Sequence, residues 1–355
     1  MLHPGLIIDL ATALDWRDQN SLFIDVRSPA EYADGHIPGA CNVPLLNDTE
    51  RAAVGTLYKQ QGSSAARQFA LEQVAPLLPR LIDQIVRLQG DRRRPLVLYC
   101  WRGGQRSQAM TAFMQLAGLP AFQLQGGHKA FRRHVVDFFA NGTWGRLLVL
   151  RGLTGVGKTR ILRQLDQQGV CVLDLEGLAN HRGSAFGAIG LQPQPSQKQF
   201  EALLWERLRH IGPDQWALTE GESRHIGRLV LPLRLYDALQ QETTLWLETA
   251  LDKRVRVIAE DYAVGDQPAA DFIPPIRALR QRLGQDRVDT LLQLQQQRDW
   301  PALIAALMTD YYDPLYGHTK PDRRIDLWID PFANQQRELL AAIDRILHQP
   351  DNSAI

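Results

Sequence analysis

The octapeptide Gly152-Leu153-Thr154-Gly155-Val156-Gly157-Lys158-Thr159 limits the fold more than any other stretch of the 355 residues. It matches the pattern G-x-x-x-x-G-K-[ST]. Arg146-Leu147-Leu148-Val149-Leu150 reads as a buried strand before it, and Thr159 to Gln168 as a helix after it. A strand that enters a helix through a glycine-rich turn aims successive backbone N–H groups at a diphosphate. Gly152, Thr154, Gly155, Val156 and Gly157 then form the cradle. Lys158 reaches the outer oxygens, and Thr159 is a candidate Mg²⁺ ligand. The motif identifies a phosphorylated ligand without saying which, ATP or GTP being the generic expectation. An apolar run ending in Asp, which would complete a standard nucleotide-hydrolysis site, is missing. The nearest substitutes are Trp216-Ala217-Leu218-Thr219-Glu220-Gly221-Glu222 and Val172-Leu173-Asp174-Leu175-Glu176. Glu220 and Glu222 are therefore candidate acids beside the loop, although carboxylates at strand ends are often caps.

A second strand–loop–helix junction lies upstream. Pro95-Leu96-Val97-Leu98-Tyr99 reads as a buried strand that runs into Cys100, and Ser107 to Leu116 as a helix. Between them lie Trp101-Arg102-Gly103-Gly104-Gln105-Arg106. A thiol placed here gains from N–H groups turned toward sulfur, from the helix N-terminus and from two guanidinium charges. Cys100, Arg102 and Arg106 are thus candidate catalytic residues. Trp101, Gly103, Gly104 and Gln105 would form the anion-binding loop, with the glycines allowing the left-handed turns it needs. Cys41 and Cys171 sit in strand-like sequence without glycines or paired arginines, so packing is expected for both.

The rest of the chain alternates strands and helices, which implies mostly parallel sheet. Ser21–Val26, Cys41–Val43 and Ala121–Leu124 read as strands, and Ala65–Leu88 as helix interrupted near Pro76 and Pro79. Gly169–Leu173 and Gln215–Leu218 read as further strands. From Phe200 onward the pattern is largely helical, with a short strand near Leu327-Trp328-Ile329 and a frayed end from Gln349 to Ile355. The length favours two domains, with boundaries at 1–140 and 141–355. Two further segments, Asn180-His181-Arg182-Gly183-Ser184 and Glu222-Ser223-Arg224-His225, combine His and Arg in sharp bends. His181, Arg182, Glu220, Glu222 and Arg224 could support a bound phosphate; salt-bridged turns would use the same residues.

Composition narrows the function class. Apolar residues at 45% and charged residues at 22% suit a folded chain. Three cysteines without a C-x-x-C pair exclude a disulfide framework and argue against structural zinc, so a reducing cytoplasm is expected. Met1–Leu10 lacks the traits of a signal peptide, and no apolar run approaches the ~18 residues of a membrane span. The net charge of +1 argues against a general nucleic-acid coat. It hides an excess of +8 between Leu77 and Arg133, where Asp83 and Asp91 face ten arginines and lysines, among them Arg92 and Arg93. A protein that grips one RNA arm needs such a local face and not a basic chain.

Asp25-Val26-Arg27, Glu31-Tyr32 and Gly35-His36-Ile37-Pro38-Gly39-Ala40, followed by the Cys100 loop, resemble the rhodanese family over about residues 5–138. That resemblance implies a loop cysteine that carries a persulfide. Five residues separate Cys100 from Arg106, which also fits cysteine-dependent phosphatases built on the same fold. Adding His181-Arg182-Gly183-Ser184, Glu222-Ser223-Arg224, Val54-Gly55-Thr56-Leu57-Tyr58-Lys59-Gln60-Gln61-Gly62 and Leu251-Asp252-Lys253-Arg254-Val255, residues 5–345 are similar to the tRNA 2-selenouridine synthase family. The fold implied is α/β: a rhodanese-like parallel-sheet domain, then a P-loop NTPase-like α/β domain with a helical C-terminal part. The activity implied is conversion of the wobble 2-thiouridine of tRNA to 2-selenouridine. Geranyl diphosphate first alkylates the sulfur, and selenophosphate then supplies selenium. No tightly bound cofactor is expected, Mg²⁺ could assist the diphosphate, and a selenophosphate-supplying protein is a candidate partner. A rhodanese-fold phosphatase fused to a P-loop kinase or ATPase remains open, as does an anion-sensing module without activity.

Overall fold

The computed structural model describes residues 6–90, 94–317, 320–333 and 336–348. Arg92, Arg93 and Asp91 of the basic stretch, and the end from Gln349 to Ile355, lie outside the described residues. The chain divides into two compact units: residues 1–142 with 195–206, and residues 143–194 with 207–355.

The first unit is built on five parallel strands, β1 (Ile7–Ile8), β2 (Leu22–Asp25), β3 (Cys41–Asn42), β4 (Leu96–Tyr99) and β5 (Ala121–Leu124), in the order β1-β5-β4-β2-β3. β2 and β4 are buried along their whole length, as central parallel strands require. Phe23, Ile24, Val97 and Leu98 are almost completely enclosed there. The sequence pattern finds helix only from Ala65. The structure starts that helix at Asp48, where Asn47 and Glu50 cap it reciprocally, and carries it to Val74 through a break at Gly62 (φ 86°). The pattern is weak because few of its residues are buried, so apolar periodicity does not mark its first half.

The segment 195–206 falls in the C-terminal half by sequence, yet it packs as part of the first unit. Trp205 inserts edge-on against Phe131, and Arg17 pairs with Glu206 at 2.6 Å. The Gln199 carboxamide oxygen accepts from the His36 N–H at 2.8 Å, and Arg132 pairs with Glu201. Burial of Phe200 and Trp205 in that unit outweighs chain order.

The second unit has its own parallel sheet: β6 (Arg146–Gly152), β7 (Val172–Leu173), β8 (Trp216–Glu220), then β11 (Thr244–Glu248) and β12 (Arg324–Trp328), in the order β12-β11-β6-β8-β7. A short antiparallel pair, β9 (His225–Ile226) with β10 (Leu229–Val230), stands apart. β11 is a strand that the largely helical reading after Phe200 does not include. Thr244-Leu245-Trp246-Leu247-Glu248 is a short apolar run that pairs with β6 and is buried at its first four positions. Leu148, Leu150, Leu218, Leu245 and Leu247 form the core around it. A separate helical cluster centres on Phe272, Ile276, Leu303 and Met308. No described helix is long and apolar enough to cross a membrane.

Candidate functional sites

In the first unit β4 delivers Cys100 to the start of the helix Gln105–Leu116, whose N-cap is Gly104. The thiol is 4% exposed. Its Sγ accepts the Gly104 N–H at 3.2 Å and lies 3.3 Å from Ser107 Oγ. Gln123 Nε2 donates to the Gly103 carbonyl at 2.8 Å and to Ser107 Oγ at 3.0 Å, bracing the loop from β5. Ser107 and Gln123 have no counterpart among the sequence-derived candidates. A hydroxyl one turn into the helix that follows a loop cysteine is the signal that could have found Ser107.

Two glycines, one outside the loop and one within it, set its shape. Gly127 (φ +55°) lies so close that a Cβ there would come within 2.1 Å of the Cys100 carbonyl oxygen and 2.5 Å of Gly103 N. Gly103 (φ +63°) faces the Leu124 carbonyl in the same way, at 2.7 Å. Behind them Asp25 and Arg27, both fully enclosed, form a bidentate pair, and Arg27 also donates to the Gly35 carbonyl at 2.7 Å. This pair is scaffold: a buried charge is kept only by its partner. Burial, and then the Arg27 charge, push the neighbouring His128 down to about 3, so it is neutral where it meets Trp101.

Arg106 is not simply a counter-ion for sulfur. It pairs with Glu31 at 2.5 and 3.1 Å, and Arg51 approaches the same carboxylate at 3.6 Å. Burial would raise Glu31, but the Arg106 hydrogen bond and charge hold it below the ordinary range. Arg102 and Gln105 are exposed and Trp101 is half-buried. Cys100, Trp101, Arg102, Gly104, Gln105 and Arg106 all line one cleft of about 1080 Å³. Of the basic stretch, Arg87, Arg106 and Arg132 are answered by Asp83, Glu31 and Glu201. Arg80, Arg102, Lys129 and Arg133 are exposed.

In the second unit the phosphate loop leaves β6 and enters the helix Lys158–Asp166. Gly155 and Gly157 take φ of 83° and 91°, and a Cβ at Gly155 would meet the Arg254 carbonyl oxygen at 2.8 Å. Arg254, 4% exposed, donates to the Thr154 carbonyl at 2.8 Å and pairs twice with Asp313. It is a positioning residue for the loop that motif reading leaves out. Lys158 Nζ donates to the Gly152 carbonyl at 3.2 Å.

A chain of acids runs behind Lys158. The Thr159 hydroxyl donates to Glu176 Oε2 at 3.0 Å, and the Glu176 N–H donates to Glu220 Oε1 at 2.6 Å. Glu220 is 1% exposed, and its Oε2 has no partner among the described residues. Burial, reinforced by the Asp174 and Glu176 charges, pushes Glu220 well above the carboxylate range. Burial likewise raises Glu176, against the Lys158 charge and the Thr159 hydrogen bond. Glu222 is pushed up to about 8 by desolvation and the Glu176 charge, with Lys158 and Arg151 opposing.

Both His–Arg segments reach this cluster, the second through Glu222 itself and the first through Gly183. A Cβ on Gly183 would sit 2.4 Å from Glu222 Oε2, and Arg182 lies over the Tyr262 ring at 4.6 Å. His181 is buried with Nδ1 unpartnered among the described residues, and desolvation lowers its pKa. Arg224 has an exposed side chain. Cys171, expected to pack, is exposed instead; it directly precedes β7, the edge strand, and its carbonyl accepts the Leu218 N–H at 2.9 Å. Beside Thr154 is a small apolar cavity of about 50 Å³ walled by Tyr262, Phe272, Trp300 and Met308. No group of three or more His, Cys, Asp or Glu among the described residues is arranged to hold a metal ion.

Residues 145–348 match the family model described as tRNA 2-selenouridine synthase AAA domain, and residues 9–134 the rhodanese-like domain. A tRNA 2-selenouridine synthase of Nitrosomonas europaea is 34% identical over 92% of this chain and 95% of its own length. The enzymes of that name from Pseudomonas entomophila (34% identity, 95% and 99%) and Pseudomonas syringae pv. tomato (35%, 91% and 95%) match as fully. Among solved structures, a rhodanese-related protein of Thermoplasma volcanium matches 36% of this chain and 90% of its own at 19% identity, with a TM-score of 0.22.

Proposed function

The chain belongs to the tRNA 2-selenouridine synthase family, and from that premise we propose that it replaces the sulfur of a tRNA wobble 2-thiouridine with selenium in two steps, one on each unit. The observation that carries this reading is the match along more than nine-tenths of the chain, which takes in both the cysteine loop and the phosphate loop. The substrate is a cytoplasmic tRNA, and a selenophosphate-supplying protein is its natural partner.

In the first step the uridine sulfur attacks the allylic carbon of geranyl diphosphate. The C–S bond forms, the C–O bond breaks, diphosphate leaves with the electron pair, and the uridine N3 proton passes to the diphosphate or to water. The loop Gly152–Thr159 and Lys158 stabilise charge that grows on the leaving oxygens. No phosphoryl group moves, so the site needs no aspartate to orient a water for nucleotide hydrolysis. The cavity beside Thr154 offers an apolar wall to the allylic end, although at about 50 Å³ its side chains must part to admit a chain. Mg²⁺ would neutralise the diphosphate. Thr159 Oγ1 and Glu176 Oε2, 3.0 Å apart, would offer oxygens to such an ion.

In the second step selenium of selenophosphate adds at uridine C2 and the geranyl thiolate leaves, taking up a proton. Water then releases phosphate from selenium. Cys100, the Gly104 N–H and Arg102 would hold the selenophosphate anion at the helix N-terminus.

Mass spectrometry of tRNA nucleosides from a strain lacking the protein tests the reading. Loss of 2-selenouridine is expected, and unchanged nucleosides with selenium supplied would refute it. With purified protein, Cys100→Ala should stop selenium entry and spare geranylation, and Lys158→Ala should impair geranylation. Equal loss of both activities in Cys100→Ala would overturn the division between units.

A further inference from the structure

The cleft at Cys100 is larger and more apolar than a small anion requires. Its volume of about 1080 Å³ lies just above the ~300–1,000 Å³ typical of small-molecule pockets. Two helices wall it. On Asp48–Val74, the lining residues Ala66, Ala70 and Val74 recur every fourth position and so share one face. On Gln105–Leu116, Ala112 and Phe113 lie three and four positions after Ala109 and so share its face. Alanine at these facing positions leaves open the space in which longer side chains of packed helices interdigitate. The lining follows the second helix from Gln105 to Phe113, a run of roughly 12 Å at 1.5 Å per residue. That matches an extended prenyl group better than a nucleobase. Leu71 lines the cleft with 60% of its surface exposed. Polar groups gather where Cys100 and the helix start, and Arg67 and Arg102 stand exposed on the lining, placed to meet RNA phosphates.

We propose that this groove seats the ten-carbon chain of the S-geranylated uridine while selenium enters at the Cys100 end. The inference rests on the two-step reading above and goes beyond it. It gives the first unit a prenyl-binding role and makes that unit the one that distinguishes alkylated tRNA from plain 2-thiouridine tRNA. No bond changes in the groove; its contribution is burial of apolar surface, which a plain 2-thiouridine lacks.

The test uses the full chain and two anticodon stem-loop RNAs that differ only in the wobble residue, 2-thiouridine or S-geranyl-2-thiouridine. The readout is the ratio of their Kd values, measured by fluorescence anisotropy for each protein variant. The wild type should prefer the geranylated RNA by at least about tenfold. Ala112→Trp, which fills the groove, should reduce the preference to below about threefold. Leu71→Glu, at an exposed position where misfolding is not an issue, should reduce it in the same direction. A preference retained in both variants, no preference in the wild type, or equal weakening toward both RNAs would each overturn the proposal. The two-step reading is judged separately: it fails if the wild type makes no 2-selenouridine from the geranylated RNA and selenophosphate.

Discussion

Glu222 is where the charge state of the phosphate site can be read through stability. Its carboxyl is pushed up to about 8 in the folded protein, against an ordinary 4.5. Between those values the folded state binds more protons than the unfolded state, so stability is fully present below about pH 4.5 and falls as pH rises toward 8. Taken alone, the shift corresponds to about 3.4 kcal/mol lost between pH 4 and pH 7, at 1.36 kcal/mol per pK unit. Glu176 and Lys158 share the field, so we expect roughly half of that, about 2 kcal/mol. For a unit of about 200 residues this is a fall in Tm of about 4–8 °C. Glu222→Gln keeps the size and hydrogen-bonding capacity of the protonated acid and removes its titration. The expected result is a variant that matches the wild type at pH 5 and exceeds it by several degrees at pH 7.5–8. Thermal unfolding of the full chain from pH 5 to pH 8.5, without phosphate in the buffer, measures this. Parallel Tm–pH curves for the two proteins would refute the argument. Pyrophosphate should steepen the wild-type dependence, since its negative charge beside Lys158 opposes ionisation of the same carboxyl.

Two more expectations follow from close approaches seen in the structure. Gly127→Ala places a Cβ 2.1 Å from the Cys100 carbonyl in a left-handed backbone, so the first unit should lose roughly 2–4 kcal/mol and selenium insertion should fall even at temperatures where the chain is folded; denaturant unfolding together with product analysis checks it, and an unchanged midpoint would contradict it. Arg254→Met removes the tether on the Thr154 carbonyl and strands Asp313, which should cost about 3 kcal/mol and weaken pyrophosphate binding, as read by calorimetry, more than Arg256→Met at an exposed position.

What the sequence makes legible depends on how local the physics is. The phosphate loop and the cysteine loop each declare themselves within about ten residues, because the glycines, the basic residues and the flanking strand and helix are contiguous. The family resemblance drawn from those motifs agrees with the family models that match both halves of the chain. Where function depends on residues distant in sequence, the reading stops. Gly127 matters because of a carbonyl 27 positions earlier, and Arg254 because of a loop a hundred residues away. The groove beside Cys100 is defined by alanines, which carry no chemistry of their own and are informative only as missing volume between two helices.

The acids behind Lys158 show why the loss is systematic. Glu220 and Glu222 stand out in sequence only as imperfect substitutes for a missing aspartate. Their separation from Glu176 by more than forty residues gives no hint that all three share one field. The parallel pairing of β7 with β8 brings them together, and burial then makes it costly for all three to ionise at once. On the proposed reading, in which the loop accepts a diphosphate and later releases it, Glu220 and Glu222 that hold protons while the anion is bound would not repel it. When the anion departs, Lys158 is left beside acids able to ionise, and their charge opposes its rebinding. On that reading the missing aspartate and the crowded glutamates belong together, since a loop that stabilises a leaving diphosphate would have no water to activate.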